Sequence, residues 1–152
     1  MPANVEERID NMAGALVREV MTPRPVKLPS SATAFEAAKA MRDADVGAVI
    51  VTDGDGLRGI VTDRDVVVRA IAEGKDPKKV KLEEICSREI TAVSPADPLA
   101  AAVRLMRNKA IRRLPVIEGD STPVGILSIG DLALRMDRSS ALADISAAAP
   151  NH

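Results

Sequence analysis

Apolar and polar positions along this chain switch between two periods, and the whole pattern occurs twice. After Thr33, the apolar residues Ala34, Ala38 and Met41 fall at spacings of four and three, which places them on one face of a helix. Thr33-x-x-Glu36 is a capping-box pattern opening that helix. The period then shortens: GAVIVT is a β-branched strand run, and the Gly- and Asp-rich turn DGDG after it makes a strand pair there a hairpin. A second helix is expected over Asp63–Glu73, closed by Gly74 as a left-handed cap. In the second half Leu99, Val103 and Met106 repeat the helical face, with Asp97 and Pro98 as its start. RLPVIE repeats the strand run and EGDSTP the turn of the hairpin.

The correspondence is close enough to number. Met41 recurs as Met106 and Val51 as Val116, each 65 residues on, and after a one-residue insertion Gly59, Thr62 and Asp65 recur as Gly125, Ser128 and Asp131. Short strands at Val26–Pro29 and Thr91–Ser94 precede the two helices. The expected organisation is an N-terminal, partly helical extension (1–19), a first repeat (20–74), a solvated linker (75–84), a second repeat (85–138) and an Ala-rich tail (139–152). A fixed-period duplication of this kind governs the fold and has to be read before any single motif.

Composition removes several classes of function. Lys and Arg (21) nearly balance Asp and Glu (22), so no strong field recruits nucleic acid or an anionic membrane. One Phe, no Tyr and no Trp leave almost nothing on which to stack exposed bases. The only His is His152 and the only Cys is Cys86, so neither a His/Cys metal centre nor a Ser/His/Asp or Cys/His nucleophile is expected. A lone Cys in an apolar context reads as a buried structural thiol in a reducing compartment. No apolar run approaches a membrane span, and the expected location is the cytoplasm.

The unit β-α-β-β-α, duplicated and ending each time in Gly-hydrophobic-hydrophobic-Thr/Ser-x-x-Asp, resembles the cystathionine-β-synthase (CBS) domain, and two in tandem resemble a Bateman module. The likeness covers Val20 to Met136, and VMTPRPVKLP fits the family's usual opening segment. It implies an α/β (α+β) fold of two repeats packed as a pseudo-two-fold module. It also implies a small stand-alone bacterial protein, dimerising by helix packing, that binds an adenosyl ligand in the cleft between the repeats. AMP, ADP, ATP, S-adenosylmethionine and NAD(H) all suit such a site.

Taken by themselves, Thr62 and Ser128 are ordinary N-caps and Asp65 and Asp131 the acids of capping boxes. The same arrangement suits a ribose phosphate. Free N–H groups at a helix start attract an anion, and a carboxylate one turn in accepts ribose hydroxyls. The resemblance assigns the ribose to Asp65 and Asp131 and the phosphate to Thr62 and Ser128. Arg64 can neutralise a phosphate or be solvated; Arg112 and Arg113, where the first repeat has Gly47 and Ala48, are further phosphate candidates. Asp63 and Asp65 are two apart and do not face each other, so no carboxylate pair for catalysis is expected. The expected protein is therefore a non-enzymatic sensor of an adenosyl ligand, requiring no cofactor. The alternative is a dimerising interaction scaffold with vestigial sites, kept open by the apolar Ile129-Gly130 where the first repeat has Asp63-Arg64.

Overall fold

The computed structural model describes residues 4–87, 91–119 and 121–136. The expected Ala-rich tail, 139–152, lies outside the described residues. The chain divides into two compact units that cut across the sequence repeats. One unit joins the chain up to Pro23 with Ala92–Glu118 and the chain from Val124. The other joins Arg24–Thr91 with Gly119–Pro123.

In the second of these units, β2 (Lys27–Pro29) runs parallel to β3 (Ala48–Asp53), which pairs antiparallel with β4 (Gly56–Thr62). Helix α2 (Ala34–Ala44) crosses between β2 and β3. Its capping box is complete: Glu36 N–H donates to Thr33 Oγ1 and Thr33 N–H to Glu36 Oε2 at 2.8 Å. The buried face is Ala34, Ala37 and Met41, with Ala38 exposed, so the helix turns one residue away from the phase read off the sequence. Ala34 and Ala37 let it sit close on Val49, Val51 and Val61 in the core. Asp45 takes a left-handed conformation (φ 54°) and Val46 N–H reaches back to Met41 O, ending the helix.

After β4 the chain forms one α-turn, α3 (Asp63–Asp65), and then a π-helical stretch over Val66–Ile71. Ala72 N–H donates to Val67 O, five residues back, at 2.8 Å. Gly74, at φ +73°, closes it as expected. Val67, Val68 and Ile71 face outward; Val66 and Ala70 enter the core.

The segment 75–81 differs from a simple solvated linker. Its lysines are exposed, yet Val80 is buried, Ala34 N–H donates to Val80 O and Phe35 N–H to Pro77 O. Phe35, the chain's single aromatic residue, carries Lys39 and Lys78 ammonium groups 5.7 and 5.1 Å from its ring centre. Helix α4 (Leu82–Ile85) follows and buries both Leu82 and Ile85.

The other unit contains α1 (Val5–Asp10), a 3₁₀ turn at Val17–Glu19, β1 (Thr22–Pro23), α5 (Leu99–Lys109), β5 (Arg113–Glu118), β6 (Thr122–Ser128) and α6 (Ile129–Met136). Its sheet has the order β1-β6-β5, with Val93 bridging in parallel to Val116. Helix α5 buries Leu99, Ala102 and Met106 against Leu114, Val116 and Leu127. Asp97 does not cap α5: its carboxylate accepts from Ser94 N–H, and Leu99 N–H donates instead to Ala15 O at 2.9 Å. Helix α1 lies on α5 through Arg104 to Asp10 (3.1 Å) and Arg107 to Glu6 (2.5 Å), with Ile9 fully buried beside these exposed pairs.

The N-terminal extension and the linker are equivalent segments. Val17 and Leu82, both fully buried, stand 65 apart, as do Glu19 and Glu84, whose carboxylates accept the N–H of Leu16 and Lys81. Each segment precedes one repeat and packs on the helix of the other. Among the described residues, no helix is long and apolar enough to cross a membrane.

Candidate functional site

Each Thr/Ser-x-x-Asp motif sits where the last strand of a sheet turns into a helix. A Gly three residues earlier in the strand makes room for the segment leading into the opposite repeat. A Cβ placed on Gly59 would stand 2.5 Å from Ser87 O and 3.4 Å from Cys86 Sγ, and one on Gly125 2.6 Å from Met21 Sδ and 3.0 Å from Thr22 O. Ser87 N–H donates to Ile60 O, and β1 pairs with β6 at Thr22–Ile126 and Pro23–Gly125. Met21-Thr22 and Cys86-Ser87 are again 65 residues apart. So each motif's strand is packed against the other repeat's leading segment, through Cys86-Ser87 at Gly59 and Met21-Thr22 at Gly125. Cys86 is buried there as a free thiol, and burial pushes its pKa up, as a structural rather than reactive cysteine requires.

At the first motif Asp65 N–H donates to Thr62 Oγ1 (3.1 Å) and Thr62 N–H to Asp65 Oδ2 (2.9 Å), a reciprocal capping box. The other carboxylate oxygen, Oδ1, lies 3.6 Å from Arg69 Nε one helical turn on. Arg69 also donates to Ile85 O. The arginine placed at this carboxylate is therefore Arg69. Arg64 is exposed, and its backbone N–H donates to the Asp63 carboxylate.

At the second motif Asp131 N–H donates to Ser128 Oγ (3.2 Å), while Ser128 N–H and Oγ both donate to Asp131 Oδ2 (2.9 and 3.0 Å). Asp131 Oδ1 accepts from Thr22 Oγ1 at 3.0 Å, across 109 residues of chain. Arg112 joins the turn through its backbone, its carbonyl accepting from Ile129 N–H as Gly47 O accepts from Asp63 N–H. Its side chain is exposed, and Arg113, at the start of β5, is half-buried. Thus Thr62 with Asp65, and Ser128 with Asp131, come together as expected. Arg64, Arg112 and Arg113 make no side-chain bond to either carboxylate among the described interactions.

Thr22 and Arg69 were not singled out from the sequence. A signal for Thr22 existed: ALVREVMT and VKLEEICS repeat the same apolar and acidic positions. Arg69 follows Asp65 at the i, i+4 spacing of a helical ion pair.

The family model of the CBS domain matches residues 17–71 and 82–138. The chain belongs to the CBS-domain family. Its CBS pair is 35% identical over 134 residues to the CBS domain-containing protein YhcV of Bacillus subtilis, covering 86% of this chain and 94% of that one. The crystal structure of Hypoxic Response Protein I with two coordinated zinc ions superposes with a TM-score of 0.70 at 31% identity, over 78% of this chain and 97% of that one. The CBS domain pair of protein MJ0100, in complex with 5-methylthioadenosine and S-adenosyl-L-methionine, shares the fold at a TM-score of 0.74 and 24% identity, over 83% of this chain and 98% of that one. Among the described residues, no group of three His, Cys, Asp or Glu side chains is placed to hold a metal ion. A CBS pair is a regulatory module, and the mixed helix and strand architecture here is that of the family.

Proposed function

We propose that this CBS pair is a non-catalytic sensor in the cytoplasm that binds an adenosyl ligand at its two Thr/Ser–Asp turns. The carrying observation is that each carboxylate commits Oδ2 to its own capping box and turns Oδ1 away from it. A ribose hydroxyl donates to such an oxygen, and the adjoining helix start favours the phosphate. In this reading Asp65 and Asp131 hold ribose, Thr62 and Ser128 face phosphate, and Arg64, Arg112 and Arg113 supply positive charge around it. The ligand class comprises AMP, ADP, ATP, S-adenosylmethionine and NAD(H). A ligand that contacts one arrangement of the module better shifts the population toward it, and a partner protein reads the change. The exposed Val67, Val68 and Ile71 support self-association as a homodimer.

One observation favours a second reading, a dimerising scaffold with vestigial sites: both oxygens of Asp131 have donors within the chain itself. Thermal melts with each ligand, on wild type, Asp65→Asn and Asp131→Asn, separate the two. A ligand at a hundred times its Kd adds about 2.7 kcal/mol, roughly 5–10 °C for a chain of this size. A sensor shows that shift and loses it in at least one variant, each compared with its own ligand-free midpoint. A scaffold shows no shift and dimerises regardless.

A further inference from the structure

We propose that Thr22 competes with the ligand for Asp131, so that occupancy of the second site is reported through the N-terminal leading segment. The inference rests on the adenosyl-binding reading and concerns the regulation of that site.

A carboxylate offers about four lone-pair positions. At Asp131 three are filled: two on Oδ2 by Ser128 N–H and Oγ, and one on Oδ1 by Thr22 Oγ1. A vicinal diol brings two donors, so one resident donor has to leave. Ser128 N–H is fixed by the helix start and Ser128 Oγ is held in the capping box by accepting from Asp131 N–H. Both of these donors sit on Oδ2, the oxygen turned into the box, whereas Thr22 holds Oδ1, the oxygen turned away from it. Thr22 is exposed and sits on a strand of two residues. It is the donor that yields.

Thr22 is also tied to what precedes it. Val17 N–H donates to Asp97 O, Arg18 N–H to Pro95 O and Met21 N–H to Val17 O, so the leading segment is held by its backbone on both sides of the buried Val17. Freeing the Thr22 hydroxyl removes the side-chain hydrogen bond from the end of that segment. At the first site Asp65 Oδ1 faces the Arg69 guanidinium. Ligand at Asp131 therefore loosens Val17–Pro23, and by linkage anything that clamps this segment weakens the ligand by the same factor.

The test uses the full chain with AMP, ATP and S-adenosylmethionine titrated separately. Thr22→Val keeps the shape and removes the hydroxyl, while Thr22→Ser restores it. For whichever probe binds wild type, Thr22→Val is expected to tighten binding roughly three- to tenfold, with Thr22→Ser close to wild type. The probe should also speed amide exchange at Val17–Met21 in wild type and leave it unchanged in Thr22→Val. Unchanged or weaker binding in Thr22→Val overturns the competition, since a purely structural Thr22 would cost stability and ligand together. A ligand-free double-mutant cycle of Thr22→Val with Asp131→Asn, by urea unfolding, keeps the causes apart. Coupling in that cycle with no probe binding to either protein refutes the adenosyl reading and the competition built on it. Absent coupling refutes the Thr22–Asp131 link itself.

Discussion

Gly59→Ala tests the crossing of the leading segments most directly. The new Cβ would lie 2.5 Å from Ser87 O, against about 3.3 Å for a close C···O contact. The obstacle is backbone, and no rotamer change relieves it. Either β4 or the Cys86–Ser87 segment must move by most of an ångström, and Ser87 N–H sits on Ile60 O at 3.2 Å. Overpacking of this kind costs about 1–3 kcal/mol and a lost backbone hydrogen bond about 0.5–1.5 kcal/mol. The stiffer unfolded chain returns about 0.4–1 kcal/mol. The net loss is about 1–3.5 kcal/mol, a drop in Tm of roughly 2–14 °C at this chain length. Gly56→Ala is the control: in the same strand its Cβ meets nothing closer than Asp53 O at 3.7 Å, and its midpoint should equal or exceed that of wild type. Gly125→Ala should fall between, because the nearest atom, Met21 Sδ, belongs to a flexible thioether. Calorimetric melts of the three variants decide the matter. A Gly59→Ala protein melting with wild type would refute the crossing.

Two further effects follow from local geometry. Asp53 accepts from Ser30 Oγ and pairs with Arg58 Nη1 at 2.8 Å, contacts that hold its carboxyl below the usual carboxylate range. A depressed folded pKa gives stability that is present above the unfolded value, near ~3.9, and is lost as pH falls through the folded value. The urea midpoint of wild type should therefore exceed that of Asp53→Asn at pH 6, with the gap closing as pH falls below the unfolded value and through the folded one; a gap independent of pH would contradict the assignment. Ala110 ends α5 in a left-handed conformation at φ 53°, which costs an L-residue about 1–2 kcal/mol. Ala110→Gly removes that cost against about 0.4–1 kcal/mol of added unfolded-chain freedom, and Tm should rise by roughly 1–4 °C; a fall would show the strain is absent.

What the sequence determined by itself is what short spans decide. The capping boxes at Thr33–Glu36, Thr62–Asp65 and Ser128–Asp131 link groups three residues apart, and the helix closes at Gly74 with Gly74 N–H donating to Ile71 O and Lys75 N–H to Ala70 O. Hydrophobic spacing displayed the duplication because each repeat must bury the same helix face on the same hairpin. It missed the phase by one residue at Ala37 and Ala102, where small side chains carry little hydropathy to mark the buried stripe. Only the tertiary structure decided which sheet each leading segment joins. The two segments are near copies, so neither their hydropathy nor their propensity distinguishes a home sheet from the opposite one. The choice rests on pairing between distant partners: β1 on β6, Ser87 on Ile60, Thr22 on Asp131. The same pairing turned a linker and an extension into equivalent packed segments, and it brought a hydroxyl from before the first repeat onto the carboxylate that ends the second.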